Sequence, residues 1–144
     1  MLPPVLVIDA SVLVAAMRPG EPHFASARTV LERLTRQRST LYLPTIGLAE
    51  VAAAIARGLG RADRAEKNVA LVRQLPGMTI IAVDHPLGDR AAKVAGQHRI
   101  RGCDAIYVAL AQSLDAPLLT LDQQQQERAP TELKTYTPTE LIAD

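Results

Sequence analysis

The alternation of short apolar runs with helix-length segments limits what this chain can fold into more than any other feature. "VLVID", Val5 to Asp9, is continuously apolar and then acidic, the pattern of a strand buried on both faces, as in a parallel sheet. Three runs of the same kind follow, "LYLP" from Leu41, "MTIIAV" from Met78 and "PLLTLD" from Pro117, and "LKTYT" from Leu133 reads as a fifth, edge strand. Helical patterns lie between them. "SVLVAAM" opens a short helix with Ser11 near its N-cap, and "RPGEP" ends it. Apolar residues at 24, 27, 30, 31 and 34 then recur at helical spacing. Pro44 and Thr45 open a helix that Gly58 can close. "RADRAEKNVALVRQL", the stretch from Pro86 to His98, and "GCDAIYVALAQSL" supply three more, and "QQQQERA" starts another after the fourth strand. Strands alternating with helices give an α/β fold with a parallel sheet. In such sheets ligands sit beyond the carboxyl ends of the strands, near the point where strand order reverses.

Composition narrows the function classes. The chain has 144 residues, a common size for one domain spanning 1–144, and 48% hydrophobic against 22% charged residues, which is globular rather than disordered. No apolar run approaches the roughly 18 residues of a membrane span. The N-terminus lacks a basic region before its apolar run, so no signal peptide is expected. The single Cys103 forms no internal disulfide and fits a reducing cytoplasm; with no evident His partner it reads as a small core residue, or one that supports the acid beside it, rather than a nucleophile. Net charge is only +1, so a nucleic-acid partner needs a local basic patch. Thirteen of the sixteen basic residues are Arg, which suits bidentate phosphate contact, though an Ala- and Arg-rich chain also follows from genome base composition. The absence of Trp, with one Phe and three Tyr, argues against a single-strand binder built on aromatic stacking.

The acids carry the chemistry. Asp9 ends the first strand and Asp122 the fourth, so a parallel sheet places both on one edge. Each can also serve merely as the cap of the following helix, and so can Asp104 at the start of "AIYVALA". Glu50 is different. It stands in "LAEVAAAIAR" with apolar residues on either side, in a helix that looks buried on most sides, where an unpaired carboxylate is costly. A solvent-facing position or a buried pair with Arg57 is the structural alternative. Together the four acids would repel one another unless a cation sits among them, and oxygen-only ligands suit a hard ion, Mg²⁺ or Mn²⁺. His23, His85 and His98 are scattered, which disfavours zinc. Asp84 also follows a strand, and spacing alone does not choose between it and Asp122.

"VIDASVLVA", "LAEVAAAIAR", "GCDAIYVALA" and "LLTLD", in that order, resemble the PIN-domain family, especially the VapC-type toxin ribonucleases of bacterial toxin–antitoxin pairs. The resemblance covers about Val5 to Thr137. It implies a three-layer α/β/α fold with a mostly parallel five-stranded sheet in the order 3-2-1-4-5. Asp9, Glu50, Asp104 and Asp122 match the family's four acids, Ser11 and Thr120 its supporting polar residues, and Asp84 matches no functional position. The segment "QQQQERAP" is more polar than the family's usual amphipathic helix.

The resemblance implies metal-dependent hydrolysis of RNA phosphodiesters, with Asp9, Asp104, Asp122 and Glu50 as catalytic and metal-binding residues. Ser11 and Thr120 would orient them, and Arg18, Arg99 and Arg101 would meet RNA phosphates. It further implies a cognate antitoxin, a homodimer, and no membrane. Two other readings stay open. A haloacid-dehalogenase type phosphohydrolase wants a second Asp where Ser11 stands, and a catalytically silent RNA-binding or scaffold domain is at odds with the retained acids.

Overall fold

Each apolar run becomes a strand because burying both of its faces removes the most apolar surface from water, and helices on both sides of a sheet provide that burial. In the computed structural model, which describes residues 1–143, five strands form one sheet: β1 (Val5–Ile8), β2 (Thr40–Pro44), β3 (Met78–Ile81), β4 (Leu118–Leu119) and β5 (Thr135–Tyr136). Their order is β3-β2-β1-β4-β5 and all four pairings are parallel, as the family resemblance implies. The helices are α1 (Ala10–Met17), α2 (Phe24–Gln37), α3 (Ile46–Leu59), α4 (Ala62–Gln74), α5 (His85–His98), α6 (Gly102–Leu114), α7 (Gln123–Arg128) and α8 (Pro138–Ile142).

The chain winds from β1 outward to β3, then crosses back to β4 and β5. Right-handed crossovers therefore put α1–α4 on one face and α5–α7 on the other. The packing agrees: α1 lies on α2 and α3, and α3 on α4, while α5 lies on α6 and α6 on α7. Between these layers Leu6, Val7, Ile8, Leu41, Leu43, Leu118 and Leu119 are essentially inaccessible to solvent.

Several boundaries differ from the sequence reading. The fourth strand is two residues long; past Thr120, whose N–H still donates to the Tyr136 carbonyl, the chain turns into α7. Asp9 is the N-cap of α1, with Ser11 in the first turn beside it. Helix α3 runs past Gly58 to Leu59, and Gly60 closes it with a left-handed φ of 65° that costs glycine little. Helix α8, unread in the sequence, has a capping box between Thr137 and Glu140 and packs on α2. Among the described residues no helix is long and apolar enough to cross a membrane.

Candidate active site

The reversal of strand order lies between β1 and β4, and the acids gather there. Parallel pairing sets Ile8 opposite Leu119, and the Asp9 N–H donates to the Leu119 carbonyl at 2.9 Å. The residues that follow, Asp9 and Asp122, both leave the sheet as helix N-caps. Asp9 Oδ2 accepts from the Ser11 N–H at 3.0 Å, and Asp122 Oδ1 accepts from the Gln125 N–H at 2.7 Å. Asp104 stands in the first turn of α6 from the other layer. Glu50 projects from the opening turns of α3. All four line one pocket of about 670 Å³, together with Ser11, Ala53 and Arg57.

The caps explain the location, but they do not make the charges comfortable. Asp9 is 5% exposed, and burial pushes its carboxyl up from 3.8 to about 6 against the lowering effect of the Ser11 and Gln125 hydrogen bonds; the Glu50 charge adds to the rise. Glu50 is raised first by burial, and the charges of Asp104 and Asp122 push in the same direction. Asp104 is raised by burial and by Asp122. The acids thus form one electrostatic unit.

Two residues offset the cost. Tyr107, fully buried in α6, donates its hydroxyl to Glu50 Oε1 at 2.5 Å. This contact, not Arg57 and not open solvent, is what holds Glu50, and the α3 face around it is half-exposed rather than buried on most sides. Gly47 makes the approach possible: a Cβ there would press on Leu43 and come within 3.0 Å of the Tyr107 hydroxyl. Arg101, whose side chain is 71% exposed, reaches in from solvent and joins Asp104 Oδ2 at 3.0 Å to Asp122 Oδ2 at 3.1 Å. Its charge lowers both Asp104 and Glu50.

Ser11 and Thr120 occupy supporting positions. The Ser11 hydroxyl accepts from the Leu121 N–H at 3.1 Å, and the Thr120 hydroxyl accepts from the Asp122 N–H at 2.9 Å. Arg18 pairs with Glu21 and lies against Gly58. Arg99 has a left-handed backbone at the end of α5, where its carbonyl accepts from Arg128. Asp84 caps α5 and lines a different pocket, beside Arg90 and Ser113. Cys103 is exposed, not a core residue.

The donor set is made of carboxylates alone, which fits a hard divalent cation and not a soft one. As the side chains stand, no three of them among the described residues are gathered tightly enough to hold an ion, and Arg101 spans two of them. Its exposure makes it the easiest of these groups to displace.

The PIN-domain family model matches residues 6–130. The chain belongs to the PIN-domain family. One relative of this PIN domain, "Ribonuclease VapC3" of Pyrobaculum aerophilum, is 32% identical over 130 residues, covering 87% of this chain and 95% of the relative. Solved structures share the fold. VapBC2 of Rickettsia felis bound to promoter DNA aligns with a TM-score of 0.72 at 17% identity over 92% of this chain and 98% of that one. VapC20 of Mycobacterium tuberculosis, a toxin that cleaves the sarcin–ricin loop, aligns at 0.72 and 18% over 90% and 98%. FitAcB of Neisseria gonorrhoeae aligns at 0.71 and 21% over 94% and 99%.

Within the PIN domain, sequence reasoning passed over two residues at the acids. Tyr107 reads as core in an apolar helix, yet it stands three residues after Asp104 and so on the same helix face. Gln125 reads as one polar residue in a polar run. Its signal is the spacing Asp122-x-x-Gln125, which resembles a capping box; the structure instead buries the side chain completely.

Proposed function

We propose that this PIN domain is a divalent-metal-dependent endoribonuclease, and that it is the toxin of a toxin–antitoxin pair. The observation that carries the reading is the convergence of Asp9, Glu50, Asp104 and Asp122 on one pocket at the carboxyl edge of the sheet. The identity to a VapC ribonuclease across nearly the whole chain supports RNA as the substrate. Residues 1–144 would act as one PIN domain.

Asp9, Asp104 and Asp122 would be the main ligands of Mg²⁺ or Mn²⁺. Bound there, the cation supplies positive charge for the phosphodiester and Lewis acidity toward water. Glu50, aimed by Tyr107 and raised by burial and then by its acidic neighbours, is suited to orient the attacking water and accept its proton. Ser11 and Thr120 hold the two strand-end aspartates through backbone contacts. Arg101 is positioned to exchange its carboxylate partners for an RNA phosphate brought to the same carboxylates. Arg18 and Arg99 are proposed as outlying phosphate contacts. Structural neighbours described as toxin–antitoxin complexes support a cognate antitoxin as partner, and a homodimer belongs to the same reading.

The test is cleavage of total RNA by the purified protein with Mn²⁺, wild type against Asp9→Asn, with sequencing of the new ends. Discrete new ends from wild type alone are expected. Equal cleavage in EDTA overturns the metal mechanism.

A further inference from the structure

We propose that Gln125 is a positioning residue for the reaction, whose side-chain amide fixes the Asp9 carboxylate and ties it to the Asp104 backbone and, through the Thr120 hydroxyl, to Asp122. This inference rests on the nuclease reading above.

The four glutamines of "QQQQERAP" have different surroundings. Gln123 pairs with Glu127 along the helix surface, Gln124 accepts from the Arg101 N–H, and Gln126 donates to the Asp122 carbonyl. Gln125 alone is fully buried. Its Nε2 donates to Asp9 Oδ1 and to the Asp104 carbonyl, each at 3.1 Å, and its Oε1 accepts from the Thr120 hydroxyl at 2.5 Å. Both N–H groups therefore meet acceptors and the oxygen meets a donor, so the amide has one orientation. Its backbone N–H caps onto Asp122. The helix could have used this glutamine to cap its own N-terminus; Thr120 accepts from the Asp122 N–H instead, which frees the side chain to turn inward.

A buried amide is a poor choice for stability alone. An apolar side chain of the same volume fills such a space at little cost once its partners are satisfied elsewhere. Here every side-chain bond of Gln125 ends on an acid of the site or on the threonine beside one. Asp9 Oδ2 is fixed by Ser11, and Gln125 fixes Oδ1, so the carboxylate plane is set from both ends. Losing one anchor frees the carboxylate to turn about its Cβ–Cγ bond. Gln125 does not line the pocket, so it acts on Asp9 and not on RNA.

The experiment compares Gln125→Met, which keeps length and volume, with Thr120→Val and Thr120→Ser, which remove and retain the hydroxyl that orients the amide. Mn²⁺ titration calorimetry, cleavage of a short RNA and melting are measured on each. Gln125→Met should bind Mn²⁺ about tenfold to a hundredfold more weakly than wild type. Its kcat should fall while KM for RNA stays within about twofold, because no RNA contact is lost. Thr120→Val should follow it in part and Thr120→Ser should restore wild-type behaviour. A crystal structure of Gln125→Met without metal should show Asp9 turned from its wild-type plane, a readout independent of metal and RNA. Folded Gln125→Met with wild-type Mn²⁺ affinity and kcat, or with Asp9 unmoved, overturns the inference and leaves the nuclease reading standing. If Gln125→Met does not fold, wild-type Mn²⁺ affinity in Thr120→Val overturns it. A wild-type protein that neither binds Mn²⁺ nor cleaves RNA overturns the nuclease reading itself, and this inference with it.

Discussion

Replacing Asp9 by Asn should stabilise the metal-free protein at neutral pH and not at acid pH. Burial raises the Asp9 carboxyl from 3.8 to about 6. At about 1.4 kcal/mol per decade, the ionised side chain costs the fold about 3 kcal/mol. The sign follows from the raised value. Above pH 6 both folded and unfolded chains are ionised at this residue and the full cost applies. Between 6 and 3.8 the folded state holds a proton that the unfolded state has lost, and the cost fades as pH falls. Below 3.8 it is gone. Asn removes the charge at every pH, but its –NH₂ must face a donor, because both Asp9 oxygens accept, from Ser11 and Gln125. That mismatch costs about 1–2 kcal/mol. The net gain at pH 7.5 is thus about 1–2 kcal/mol, a rise in Tm of about 4–8 °C for a chain of this size. The informative quantity is the Tm difference between variant and wild type, followed by circular dichroism in EDTA from pH 7.5 to 4. It should fall by about 10 °C over that range and change sign, because at pH 4 the charge cost is nearly gone and the mismatch of about 1–2 kcal/mol remains. A difference that does not change with pH refutes burial as the source of the Asp9 shift.

Saturating Mn²⁺ should raise the Tm of wild type clearly and that of Asp9→Asn little, as thermal melts with and without EDTA will show. Tyr107→Phe removes the hydrogen bond that lowers the Glu50 carboxyl; the acid limb of the pH–rate profile should move to higher pH, and kcat should fall about tenfold or more. Arg101→Gln should tighten Mn²⁺ binding a few-fold by calorimetry, since a competing cation leaves Asp104 and Asp122, while KM for RNA rises. Gly47→Ala should cost about 1–3 kcal/mol in urea unfolding, because its Cβ would press on Leu43 and the Tyr107 hydroxyl.

The α/β class was legible from "VLVID", "LYLP" and "PLLTLD", because strands buried on both faces need continuous apolar runs. Asp9, Asp104 and Asp122 were legible as strand-end or helix-start acids, where a cap is favourable whatever else the residue does. Glu50 stood out as a charge in apolar surroundings, but those surroundings did not reveal its partner: Tyr107 lies 57 positions away. Asp9 is legible as a possible cap of the helix that follows it, and its side chain takes that place by accepting from the Ser11 N–H. The spacing of Asp84 equals that of a site acid, and its exclusion needed the sheet order.

By itself, then, the sequence determined which apolar runs would be buried as strands and which acids would stand at strand ends and helix starts. Both follow from local pattern, since hydrophobic period and capping act within a turn or a strand. The tertiary structure decided that β4 lies against β1 and not at the edge beside Asp84. It decided that Arg101 bridges two acids, and that one glutamine of four faces inward to Asp9 across 116 residues. Such contacts depend on which elements become neighbours. Only the packing of the two helical layers against one sheet, with its global burial of apolar surface, settles that.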